Sequence, residues 1–265
     1  MLSLTSFTLA QPDGVHYVVI AMSHTLHHPV MQDHPEPALA DGGVPPLARF
    51  LAEGQALVSR PFTAWAARRI AATRRADGRA VMVIPGFMAR DIFTLRLRRM
   101  LRIAGYAPHG WGLGMNRGAT PDLLDRLCEQ LDAIALDEGT PVSLIGWSLG
   151  GLYARELAKL RPELVDRVIT LGSPFSGDLR ANRAWKLYER LNGHPVDQPP
   201  MQVDLTRKPP MKTFALWSAN DGIVAPACAR GLPHEADSNV EVKCRHMDFV
   251  SAPAAITAIF DALEA

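Results

Sequence analysis

Gly146-Trp147-Ser148-Leu149-Gly150 is the stretch whose residue types and spacing could do chemistry. A serine hydroxyl is a poor nucleophile at neutral pH until a base stands beside it, and that base needs a partner to hold its tautomer. Both are available downstream: Asp221 in Asn220-Asp221-Gly222, and His246 in His246-Met247-Asp248-Phe249. Brought together, a hydroxyl, an imidazole and a carboxylate could attack a carbonyl carbon. The imidazole would take the hydroxyl proton and return it to the leaving group. Taken alone, the Gly-x-Ser-x-Gly run is equally consistent with a glycine-rich turn between a core strand and a core helix, and Asp221-Gly222 with a plain turn.

For the serine, the flanking residues weigh against the plain turn. Val142 to Ile145 is a short apolar run of strand type, and Leu149, Leu152, Tyr153 and Leu157 recur at the three- and four-residue spacing of a helix. A serine at the apex of such a strand-turn-helix is forced into a cramped backbone, with Gly146 and Gly150 where side chains would collide. The N-H of Leu149, at the helix N-terminus, would point toward charge growing on an attacked carbonyl.

Gly-Trp-Ser-Leu-Gly-Gly resembles the nucleophile elbow of the α/β-hydrolase superfamily, in particular its bacterial lipase- and esterase-like members. The order serine, aspartate, histidine is the order of that superfamily. The resemblance spans about residues 80 to 260. It implies Ser148 as nucleophile, Asp221 and His246 as acid and base, and no metal or organic cofactor. It also implies a second oxyanion donor in the loop after the strand Ala80 to Ile84. There Pro85 stands where the superfamily often has histidine, Gly86 lets the backbone pass close, and the N-H of Phe87 is the candidate donor. Met88, Trp111, Trp147 and Phe175 are candidate substrate contacts. The implied activity is hydrolysis of a small-molecule carboxylic ester. Acyl transfer or thioester hydrolysis on the same three side chains remains open, as does a non-catalytic binding protein on the same fold. A carboxylate nucleophile, as dehalogenase chemistry needs, is absent at position 148.

Strand-like and helix-like runs alternate from Ala80 onward: a helix over Arg90 to Arg102, a strand near Tyr106 to Trp111, and a helix after Thr120 as N-cap and Pro121. They continue with strands at Leu164 to Leu171, Thr213 to Trp217 and Val240 to Cys244, and a closing helix carrying Ile256, Ile259, Phe260 and Leu263. This pattern predicts a mostly parallel sheet of about six strands flanked by helices, with ligands at the carboxyl ends of the strands. Residues 175–212, with a helix expected over Leu179 to Leu191 and several prolines, would form a small cap. Residues 47–265 make up this domain, opening on helical residues 47–75.

Residues 1–46 differ in composition. They hold five of the nine histidines and no lysine or arginine. Two strands around Pro12-Asp13-Gly14 and an irregular linker over residues 23–46 are expected, and His24, His27 and His28 read as solvated tail before metal site. A net charge of +1 gives no argument for nucleic acid as a partner. No apolar run reaches the roughly eighteen residues of a membrane span, and residues 1–22 lack the basic start of a signal peptide. The cytoplasm is the expected compartment. Of the three cysteines, Cys228 and Cys244 could bridge the acid and base loops or remain free thiols, while Cys128 reads as packing.

Overall fold

Valine, isoleucine and leucine dominate the runs that become the central strands, and strands covered on both faces read as continuous apolar stretches. The structure is a computed structural model that describes residues 4–9, 17–22, 43–201 and 203–265. Two compact units are distinguished, Met1–Ala38 and Leu39–Ala265. In the first, β1 (Leu4–Leu9) pairs antiparallel with β2 (Tyr17–Met22). The expected turn Pro12-Asp13-Gly14, the three tail histidines and all but the last four residues of the linker lie outside the described residues.

The second unit opens with helices α1 (Leu47–Ala52) and α2 (Gln55–Thr73), joined by Glu53 and Gly54. Strand and helix then alternate: β3 (Ala80–Ile84), α3 (Asp91–Ile103), β4 (Ala107–Gly110), α4 (Leu123–Glu138), β5 (Val142–Trp147), α5 (Leu149–Leu160) and β6 (Val165–Leu171). After these come α6 (Trp185–Asn192), β7 (Lys212–Trp217), α7 (Pro226–Arg230), β8 (Ser238–Glu241) and α8 (Pro253–Glu264). The sheet runs β4-β3-β5-β6-β7-β8 with every pair parallel. Strands β3 and β5 are buried along their whole lengths. One core packs α2, α3 and α8 with residues such as Val83, Ile145 and Ile169. A second gathers α4 and α5 with Met82, Ile84 and Leu144. Each large side chain taken wholly out of water contributes roughly 1.5–3 kcal/mol, so both faces of the sheet hold the elbow strand in place.

Three boundaries differ from expectation. The Thr120 hydroxyl bonds to Asp122 Oδ1 at 2.7 Å instead of capping, and α4 starts at Leu123. Asn182 bonds locally, donating to Leu179 O (2.6 Å) and accepting from Ala184 N (2.8 Å), so the chain turns there and α6 begins only at Trp185. The last strand ends at Glu241 because a tight turn, Cys244 N to Val242 O at 2.9 Å, takes the chain out of the ladder. The cysteines are all free and buried. Cys228 packs with Ala181 and Val224, whereas Cys244 belongs to the core beneath α8, so of the two alternatives the thiols remain free and no bridge is made. Cys128 packs in the α4 and α5 core.

Candidate active site

The carboxyl ends of the middle strands are aligned by the parallel register, with Trp147 opposite Leu171 and Leu171 opposite Leu216. The loops leaving them carry the polar groups of the site. At the end of β5, Ser148 has φ 54° and ψ −124°, a positive φ in a non-glycine residue. This is the cramped apex that the sequence predicts, and such a backbone persists only where its surroundings hold it. The Ser148 N-H donates to Leu171 O at 2.8 Å. A Cβ at Gly146 would overlap Gly151, and one at Gly150 would overlap the carbonyl of Ile84. Only glycine lets the strand, the turn and the helix approach this closely.

After β7, Asp221 is fully buried. Its Oδ1 accepts from the N-H groups of Ile223 and Val224, both at 2.8 Å, and its Oδ2 meets His246 Nδ1 at 2.7 Å. A carboxylate only accepts, so Nδ1 carries the proton and Nε2 is left with its lone pair. His246 and Ser148 line one cleft with Phe87, Met88 and Trp147. The Trp147 indole N-H donates to His246 O at 3.1 Å, so that side chain holds the histidine's backbone from the elbow side. Ser218 Oγ donates to Cys244 O at 2.6 Å, a second tie between the two loops. Burial opposes charge on the His246 imidazole. The Asp221 charge and hydrogen bond, with the more distant Glu53 charge, outweigh it and raise the pKa above its ordinary value.

The loop after β3 passes close to the elbow: a Cβ on Gly86 would lie 3.1 Å from Ser148 Cβ. Asn116 fixes this loop, donating from Nδ2 to Pro85 O (2.8 Å), while its main-chain carbonyl accepts from Met88 N (2.6 Å). Met88 has φ 58° as a result of that sharp turn. Phe87 and Leu149 flank Ser148 in a second, apolar cleft lined further by Leu152, Tyr188, Val196 and Leu205. Among the described residues, no hydrogen bond is made by the N-H of Phe87 or of Leu149.

Two of the four candidate substrate contacts are not brought to these clefts. Trp111 is 2% exposed, donates its indole N-H to Gly114 O and packs in the α4 and α5 core. Phe175 is 1% exposed and stacks beneath the Arg155 guanidinium. Met88 and Trp147 do line the first cleft. Sequence reasoning missed Asn116 and Glu53. Both act on backbone groups far away in the chain, for which no spacing signal exists. Among the described residues, no cluster of His, Cys, Asp or Glu is suited to a metal ion, and no helix is long and apolar enough to cross a membrane.

Residues 80–256 match a family model described as the alpha/beta hydrolase family. No match is found among curated proteins. Among solved structures, this chain is similar to Aspergillus fumigatus lipase B at 17% identity (TM-score 0.54, covering 73% of this chain and 55% of that one). It is likewise similar to Bacillus licheniformis lipase BlEst2 in its mature form at 18% identity (TM-score 0.51, covering 72% and 93%). The product of gene lin2722 from Listeria innocua matches at 15% identity, with a TM-score of 0.50 and coverage of 71% and 94%. At these identities the likeness is one of fold.

Proposed function

The chain belongs to the alpha/beta hydrolase family, and from that premise we propose that it is a serine hydrolase cleaving carboxylic esters through an acyl-serine intermediate. The observation that carries this proposal is the buried 2.7 Å contact between His246 Nδ1 and Asp221 Oδ2, with Nε2 left free in a cleft that Ser148 also lines.

In this mechanism, Ser148 Oγ attacks the ester carbonyl carbon and Nε2 of His246 takes its proton. The tetrahedral oxyanion is held by the N-H groups of Phe87 and Leu149, a contribution of roughly 3 kcal/mol per donor in comparable sites. The imidazolium then gives the proton to the departing alkoxide, leaving alcohol and acyl-serine. Water repeats the sequence: its proton goes to Nε2, its oxygen to the carbonyl, and the carboxylic acid leaves as Ser148 is reprotonated. Asp221 stays ionised throughout and stabilises the transient imidazolium. The apolar cleft beside Ser148 suits the acyl chain, and residues 175–212 supply much of its far wall as a cap.

The test is Ser148→Ala. The parent chain is expected to hydrolyse p-nitrophenyl esters and to be labelled by a fluorophosphonate probe, and the folded variant to lose nearly all of the first and all of the second. Ester hydrolysis undiminished in Ser148→Ala would overturn the assignment.

A further inference from the structure

Glu53 stands in the turn between α1 and α2, outside residues 80–256, and is 6% exposed. A buried carboxylate needs partners, and this one takes them from both loops of the site. Oε1 accepts from Gly222 N at 2.9 Å and from His246 N at 3.0 Å, while Oε2 accepts from Met247 N at 2.9 Å. One carboxylate thus bridges the residue after Asp221 to His246 itself. Gly222 makes the approach possible, since a Cβ there would press on the Arg49 carbonyl of α1.

We propose that Glu53 is a positioning residue for His246, clamping the base loop to the acid loop and supplying a second negative charge behind the imidazole. This rests on the serine-hydrolase proposal above. Hydrogen bonds to an ionised acceptor are about twice as strong as neutral ones, and three converge here. A shift of the base loop by an ångström would misdirect Nε2 from the Ser148 hydroxyl.

Among the described residues, the charged groups around His246 are few. Asp221 holds Nδ1, and Asp248, in the same turn, pairs with Arg245 at 3.8 Å. Arg49 and Lys243 lie with Arg245 and Asp248 around an outer opening on that side, next to the neutral Cys244 thiol. Against the ring itself pack Trp147 (5.9 Å between centroids), Phe249 (6.3 Å) and Gly172, none of them charged. Removing the Glu53 charge therefore removes one of two carboxylates that favour the imidazolium.

Glu53→Gln keeps the shape and one acceptor oxygen, but loses the charge and presents an amide NH2 to Met247 N. Its kcat/KM on a p-nitrophenyl ester is expected to fall roughly tenfold to a hundredfold, mostly in kcat. The acid limb of its pH profile and the His246 titration followed by NMR should both move to lower pH. Glu53→Asp keeps the charge one methylene short, so it should retain the titration while losing rate, and it tests the geometry if the neutral variant does not fold. An unchanged acid limb and an unchanged His246 titration in folded Glu53→Gln, or a wild-type rate in Glu53→Asp, would overturn the proposal alone. A parent chain that a fluorophosphonate fails to label would overturn the serine-hydrolase assignment and take this one with it.

Discussion

His246 is under two opposed demands. As a base it must be neutral, yet Asp221 and Glu53 favour its charged form and burial does not cancel them. Rate and stability should therefore respond to pH in opposite senses. The acid limb of kcat/KM is expected above the ordinary histidine value of about 6.5, because the imidazolium persists to higher pH. A folded-state pKa raised above the unfolded one adds stability that is complete below the unfolded value and is lost as pH rises through the folded one. The stability difference between the parent chain and His246→Gln, measured by urea unfolding across pH, should shrink over the interval in which kcat/KM rises. A difference that grows with pH would contradict the assigned direction.

Among the elements, α5 carries more than the elbow. Its Arg155 is fully buried, with Nη1 donating to Glu235 O (3.0 Å), Nε to Leu205 O (3.3 Å) and Nη2 to Arg207 O (3.3 Å). Burial pulls its pKa down to about 10, so it stays charged at neutral pH. It ties the end of the 175–212 segment and the loop before β8 to the helix that follows Ser148. Arg155→Met would leave three carbonyls without their donor, at a cost of about 2–4 kcal/mol, read as a lower urea midpoint at unchanged m-value. Leu205 lines the apolar cleft, so KM for a long-chain ester should rise more than kcat falls. In the sequence Arg155 is indistinguishable from a solvated helix residue, and Glu53 from a surface charge in a turn. Both are defined by carbonyls and N-H groups that only folding brings near. The elbow was legible because its chemistry is local: two glycines, one serine, an apolar run before and a helical period after.

Across the molecule, alternation of β-rich and helical runs was enough to anticipate a mostly parallel sheet, since strands apolar on both sides need helices on both faces of their sheet. What it left out were the ends: β8 stops at Glu241 and α4 starts at Leu123, where side chains such as Thr120 and turns such as that at Cys244 compete with the ladder or the helix. Trp111 and Phe175 were misjudged for a related reason, as large aromatic residues serve a core as readily as a pocket.

The three unbridged sulfurs are distributed over this architecture. Cys128 sits on α4, Cys228 on α7 and Cys244 two positions before His246, each less than a tenth exposed. Burial raises all three pKa values, that of Cys228 to about 11. In the native chain they should ignore iodoacetamide, which consumes thiolates. Alkylation then becomes a clock with three hands. Mass spectrometry of chains sampled in sub-denaturing urea would tell which region breathes first, and modification of Cys244 ahead of Cys128 would mark the histidine loop as yielding before the opposite side of the sheet.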